Sequence, residues 1–107
     1  MDDTRYQHLA DDAFKHISAA FEDVDAEVVD CEVAGDVLTL TFKDRKRCVL
    51  NTQRPTHQLW LAANARAWHF TYDEAAKKWM DDKARGEELG ATLARIVKEA
   101  AGIDIAL

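Results

Sequence analysis

The chain has 107 residues, 48% of them hydrophobic, with one proline and four glycines. That suffices for one compact domain, expected to span residues 1–107, and leaves little room for a disordered linker. No apolar run reaches the roughly 18 residues of a membrane span, and Met1-Asp2-Asp3-Thr4 is too acidic for a secretory signal, so a cytoplasmic protein is expected. The net charge of −6 is unevenly distributed: residues 1–32 carry ten acids against two bases, while the remaining 75 carry ten acids against twelve bases. An end this acidic argues against nucleic acid and anionic membrane as its partners and favours cations and basic proteins.

Thr4-Arg5-Tyr6-Gln7 fits a capping box. Tyr6, Leu9, Ala10, Ala13, Ile17, Ala20 and Phe21 then recur at helical spacing, which predicts a helix from about Arg5 to Phe21. Glu22, Asp23 and Asp25 follow its C-terminal end, where the helix dipole disfavours negative charge. Local stability therefore does not explain them.

The period then drops to two. Val29, Cys31 and Val33 alternate with Asp30 and Glu32, Ala34-Gly35-Asp36 signals a turn, and Leu38, Leu40 and Phe42 alternate with Thr39 and Thr41. An antiparallel hairpin follows from that pattern. Further strands are expected over Arg47 to Asn51, Gln58 to Ala62, Trp68 to Tyr72 and Lys78 to Met80, with a Pro55 loop after the third strand. Gly86 opens a second helix, expected from about Glu87 to Ala101, with Leu89, Leu93, Ile96, Val97 and Ala100 as its apolar stripe and Gly102 as its C-cap. The tail from Ile103 to Leu107 should pack back on the domain. Each helix must bury one stripe, so the expected fold is an α/β (α+β) two-layer sandwich, with both helices on one face of a single antiparallel sheet of about six strands.

The common catalytic signatures are absent. There is no Gly-x-Gly-x-x-Gly, P-loop, His-Glu-x-x-His, Gly-x-Ser-x-Gly or Glu-x-x-His. Cys31 and Cys48 form no Cys-x-x-Cys pair, and both fall in apolar strand patterns, so buried thiols are expected. The strongest constellation is acidic: Glu22, Asp23, Asp25, Glu27, Asp30 and Glu32, with Asp11 and Asp12 earlier on the helix. Carboxylates are hard ligands suited to hard cations. Asp23, Asp25 and Glu27 have EF-hand spacing, but Val28 replaces the turn glycine and Ala34 the closing glutamate. An open ridge of this kind would bind cations weakly, at about micromolar affinity or poorer, and would equally suit a solvated face that serves only solubility.

Two further features stand out. His8, Asp12 and His16 share one helix face at i, i+4 and i+8, a spacing that could hold a metal but also describes two solvent-facing histidines beside a carboxylate. In Gln58-Leu59-Trp60-Leu61-Ala62, alternation sends Leu59 and Leu61 to the core and Trp60 outward beside Gln58. An outward tryptophan is either an interface anchor or a ring covered by its neighbours.

Three stretches resemble the frataxin family in its bacterial, CyaY-like branch: residues 30–42 (DCEVAGDVLTLTF), residues 51–62 (NTQRPTHQLWLA), and Trp68-His69-Phe70 followed by Trp79 and Gly86-Glu87-Glu88. The resemblance implies the same two-layer sandwich and a role in iron–sulphur cluster assembly without enzymatic turnover. It implies ferrous and ferric iron bound weakly on the ridge carboxylates Asp3, Asp11, Glu22, Asp23, Asp25, Asp30 and Glu32, with Glu27 beside them. It also implies a monomer docking onto the cysteine desulfurase, and onto the cluster scaffold protein, through Glu22, Asp23, Asp25 and Asp30 and through the sheet residues Trp60, Gln58 and Asn51. The departures are Ser18 and Ala19, where relatives carry acids, and Arg66-Ala67, where a glycine pair is common. The alternatives are a ferroxidase or iron store, and an acidic protein-binding module with no metal role.

Overall fold

The computed structural model describes residues 1–83 and 86–107. The elements run α1 (Asp3–Ala20), β1 (Val29–Ala34), β2 (Val37–Phe42), β3 (Arg47–Gln53), β4 (Gln58–Ala63), β5 (Arg66–Asp73), β6 (Lys78–Asp81) and α2 (Leu89–Ala101). The six strands form one antiparallel meander in the order β1-β2-β3-β4-β5-β6. Alternation divides the sheet cleanly. Leu38 and Leu40 of β2, Leu50 of β3, Leu59 and Leu61 of β4 and Phe70 of β5 are buried on one face. Helix α1 lays Tyr6, Ala10, Phe14 and Ile17 on that face, and α2 adds Leu89, Leu93, Ile96 and Val97. The two-layer sandwich expected from the sequence is the fold. Ile103, Ile105 and Leu107 of the tail pack against the same core.

Several boundaries differ from expectation. Helix α1 is capped by Asp2, not Thr4. Asp2 is extended, and its carboxylate accepts the Arg5 backbone N–H at 2.8 Å. A charged acceptor at the positive end of the helix outcompetes a hydroxyl two residues later, so Thr4 lies inside the first turn. Phe14, absent from the predicted stripe, is buried. Helix α2 starts at Leu89 rather than Glu87, because Glu88 is its N-cap and accepts the N–H groups of Gly90 and Ala91. Glu87 instead accepts from the Trp68 indole at 2.9 Å and from Arg95. Thr92 is buried and Ala100 exposed, the reverse of the expected stripe. The Thr92 hydroxyl tolerates burial because it donates to the Glu88 carbonyl at 2.8 Å. Val33, expected to face inward, is 45% exposed. Helical cover runs out past Cys31 at this edge strand, and Val33 lines a shallow groove with Phe14, Ser18 and Ala19.

One buried side chain ties helix to sheet. The Tyr6 hydroxyl donates to the Gln58 carbonyl at 2.7 Å and accepts the Gln53 N–H at 3.0 Å, bridging the two ends of the Pro55 loop. Its ring stacks on His57, with centroids 5.0 Å apart. Tyr6→Phe leaves the Gln53 N–H and the Gln58 carbonyl without their acceptor and donor, and should cost about 1–3 kcal/mol in urea unfolding.

The β4–β5 hairpin closes with Ala63 opposite Arg66. Its two turn residues, Asn64 and Ala65, both sit in the left-handed region at φ 53° and 60°. This two-residue turn, rather than Arg66-Ala67, is where a glycine would be at ease. Arg66 is in β5, with its guanidinium 4.7 Å from the Trp68 ring centroid. Asn occupies the left-handed region more readily than Ala, for which it costs about 1–2 kcal/mol. Ala65→Gly creates the preferred Asn-Gly turn and should stabilise the protein by about 0.5–1 kcal/mol, read as a higher urea midpoint with unchanged slope.

Candidate metal-binding edge and docking face

The connection after α1 is a run of tight turns. The N–H of Val24 bonds the Phe21 carbonyl, and those of Val28 and Val29 both bond the Asp25 carbonyl. Phe21 is buried, and Val24 and Val28 pack against the core, which pins the connection from inside. The residues between them, Glu22, Asp23, Asp25 and Glu27, are left exposed. Asp25 has a local task as well, since its Oδ1 accepts the Glu27 N–H at 2.9 Å.

Asp30 and Glu32 pair across the ladder with Thr41 and Thr39. Those threonines alternate with the buried Leu38, Leu40 and Phe42, so both acids lie on the uncovered sheet face. Among the described residues, none of the six carboxylates from Glu22 to Glu32 forms an ion pair. Nor do any three His, Cys, Asp or Glu side chains among them converge into a closed metal site. The arrangement is an open, uncompensated anionic edge.

Asp3 and Asp11 are placed differently. Helix α1 has 18 residues, so Asp3 is separated from the post-helix acids by about 27 Å. Its Oδ1 lies 2.7 Å from His57 Nε2. The hydrogen bond to His57, aided by the nearby charge of Arg54, holds its carboxyl below the usual carboxylate range. Asp11 accepts from the Gln7 amide at 2.9 Å, and Arg54 donates to the other side of that amide at 3.0 Å. The predicted ridge is thus not one cluster: Asp3 lies at the N-terminal end of α1 beside His57 and Arg54, Asp11 midway along the helix, and the other acids beyond its C-terminal end.

His8, Asp12 and His16 are all exposed. His8 lines a depression with Asp3, Asp11 and Arg54. Asp12 and His16 line a different groove beside Trp79 and Leu107, where His16 Nε2 lies 3.2 Å from the Leu107 carbonyl oxygen. The structure does not gather the two histidines into one site.

Trp60 does face away from the core, in a cross-strand row that runs Val37, Asn51, Trp60, His69. It is half-buried rather than fully exposed. Its indole N–H donates to the Gln58 side chain at 2.9 Å, and its ring stacks on His69 with centroids 4.3 Å apart and planes 17° apart. The Gln58 amide in turn donates to Thr71 at 3.1 Å and to Asp82 at 3.0 Å. The Asn51 amide donates to the Thr52 carbonyl at 3.2 Å. Asp30, Glu32 and Trp60 therefore share one sheet face. From β1 to β4 is three strand spacings, about 14 Å.

Residues 1–103 match the family model described as a frataxin-like domain. The chain belongs to the frataxin-like family. Over 103 residues this frataxin-like chain is 39% identical to the iron-sulfur cluster assembly protein CyaY of Azotobacter vinelandii, covering 96% of this chain and 92% of that one. It is also 39% identical over 105 residues to the protein of the same name from Pseudomonas aeruginosa, covering 98% and 95%. Its structure is similar to that of the frataxin from Psychromonas ingrahamii, with a TM-score of 0.89 at 29% identity, covering 99% of this chain and 97% of the other. Trimeric yeast frataxin complexed with ferrous iron matches with a TM-score of 0.76 at 25% identity, over 89% and 87%.

Both thiols of this frataxin are free. Burial pushes Cys48 up to about 12. Burial also raises Cys31, against a hydrogen bond to Ser18 that opposes the rise. Neither is a ready ligand or nucleophile. The sequence missed His69, Thr71 and Asp82 as neighbours of Trp60, and Arg54 and His57 as neighbours of Asp3. Alternation did place His69 on the face opposite Trp68 and Phe70, but only the strand register puts it against Trp60.

The Asp3–His57 contact sets an acid dependence. A carboxyl whose folded pKa lies below its unfolded value adds stability that is complete above the ordinary carboxylate range and is lost as pH falls through the folded value. Asp3→Asn should therefore flatten the loss of stability below about pH 4, measured by urea midpoints at stepped pH. An unchanged acid limb would show that the contact contributes nothing in solution.

Proposed function

We propose that this chain is a non-enzymatic, iron-binding adaptor of iron–sulphur cluster assembly that works as a cytoplasmic monomer. It takes up Fe²⁺ or Fe³⁺ weakly on its acidic edge and docks through that edge onto a basic surface of the cysteine desulfurase. The observation that carries this function is the exposed run of Glu22, Asp23, Asp25, Glu27, Asp30 and Glu32, none of them ion-paired among the described residues. Uncompensated like charges cost folding stability, and a cation or a basic partner that neutralises them recovers it. Oxygen donors suit iron as a hard cation, and their open spacing favours weak, exchangeable binding, as a passing cargo requires. Asp3 and Asp11 add to the acidic field but hold metal less well, since His57 engages one and Gln7 the other. Family membership, relatives named for iron–sulphur cluster assembly and a ferrous complex of yeast frataxin support the same reading.

The uncovered sheet face extends the docking surface. Asp30 and Glu32 at β1 continue toward Asn51, Gln58 and Trp60, so one large partner, or the desulfurase together with the scaffold protein, can span both. Association steered by such an edge is fast and sensitive to salt.

Two measurements test this. Anaerobic Fe²⁺ titrated into ¹⁵N-labelled protein should selectively broaden the amides of Glu22 to Glu32, with weaker effects at Asp3 and Asp11. Response at His8 and His16 instead, or none at millimolar metal, would remove the iron role from this edge. Reversing Glu22, Asp23 and Asp25 together to Lys should weaken desulfurase binding at least about tenfold at low ionic strength, and added salt should narrow that gap. Equal affinity for the two proteins at low salt would sink the docking assignment.

A further inference from the structure

Trp60 and His69 are direct cross-strand partners on the uncovered face, and their rings are stacked nearly parallel at 4.3 Å. Asp82 follows β6, and its Oδ2 lies 3.8 Å from His69 Nδ1. The same oxygen accepts the Gln58 amide at 3.0 Å, and Gln58 holds the indole N–H at 2.9 Å. The Asp82 N–H bonds the His69 carbonyl at 2.8 Å, which fixes the carboxylate beside the ring. The side chains of His69 and Asp82 are 34% and 32% exposed, open to solvent protons yet partly shielded. The groups that strand register sets beside the imidazole are neutral: Gln58 and Trp60 on β4, and Thr71 on β5 itself. Among the described residues, Asp82 is the one ionised group in ion-pair range of it.

We propose that His69 is a proton-sensing positioning residue for Trp60: its imidazolium form, with the indole on its face and the Asp82 carboxylate beside its Nδ1, pins the indole flat on the sheet, and its neutral form holds the indole more loosely. Two attractions exist only for the charged ring. A cation over a tryptophan face is favourable at this separation, and so is the pairing with Asp82. Both vanish when the proton leaves, while the Gln58 hydrogen bond remains. Histidine is the side chain that changes charge in the physiological range. The face around Trp60 would therefore pass from a fixed, charge-balanced platform to a net anionic and more mobile one as pH rises. The consequence for partner docking rests on the sheet-face role proposed above. The proton response is a property of the free protein.

The test uses the intact ¹⁵N-labelled protein between about pH 5 and 8.5, the range in which histidine titrates. The Trp60 indole signal is identified as the one lost in Trp60→Phe. It should shift with a single midpoint equal to that of the His69 ring carbons, and Trp60 emission should be quenched as pH falls through that midpoint. His69→Gln should abolish both effects while the amide spectrum stays folded. Asp82→Asn should weaken the pH response of the Trp60 signal, since it removes the anion that holds the charged ring in place. A Trp60 signal indifferent to pH, a dependence that survives His69→Gln, or a response unchanged by Asp82→Asn would each overturn the proposal. If His69→Gln fails to fold, the Asp82→Asn response decides alone. Loss of desulfurase docking would leave this titration unchanged, so failure of one assignment is distinguishable from failure of the other.

Discussion

A six-stranded antiparallel sheet has two faces, and this chain supplies apolar cover for only one. Two helices and a short tail bury Leu38, Leu40, Leu50, Leu59, Leu61 and Phe70. Among the described residues, no helix or tail covers the other side. Strand alternation then sends every second residue to the uncovered face, where threonines, amides, acids, His69 and Trp60 stand among a few aliphatic side chains such as Val37 and Val49. The same constraint that builds the core thus creates a broad presented surface. Such a face stays soluble because its polar groups are satisfied among themselves, as Gln58 shows by bonding Trp60, Thr71 and Asp82 at once.

The acidic edge follows from how α1 enters the sheet. Phe21, Val24 and Val28 must reach the core, and their burial turns Glu22, Asp23, Asp25 and Glu27 to solvent in a few tight turns. The helix dipole gains nothing from acids at its C-terminal end. Their presence there, with no cation paired among the described residues, shows a segment whose charge is not set by local stability. At the other end of α1, Asp2 caps the helix and Asp3 bonds His57. Those acids do work for the fold, whereas the post-helix group, with no ion pair among the described residues, is left to act on something outside it.

Tyr6 ties the N-terminal end of α1 to the sheet. Its hydroxyl joins both sides of the Pro55 loop, and its ring stacks on His57, so the loop, the first helical turn and the start of β4 move as one piece. The same β4 residue, Gln58, gives its carbonyl to Tyr6 on the core side and its side chain to Trp60 on the open side. Register on the presented face is thereby coupled to packing in the core.

The sequence by itself determined the fold class, the two helices and six strands, and the buried positions of β2 and β4, because periods of 3.6 and 2 are direct images of which side meets water. It also determined the family, through residues 51–62 and the acidic segment, and the outward direction of Trp60. It did not determine the N-caps, because Asp2, Thr4, Glu87 and Glu88 are all plausible by type and only the backbone path selects among them, although Gly102 is the C-cap it indicates. It did not show that Val33 is exposed or Thr92 buried, since both depend on where helical cover ends. Above all, it did not show that Asp3 and Glu22 lie about 27 Å apart, or that His69 and Asp82 close around Trp60. Those facts come from helix length and strand register, which bring residues together across the chain, whereas the pattern along the chain records only which face each residue occupies.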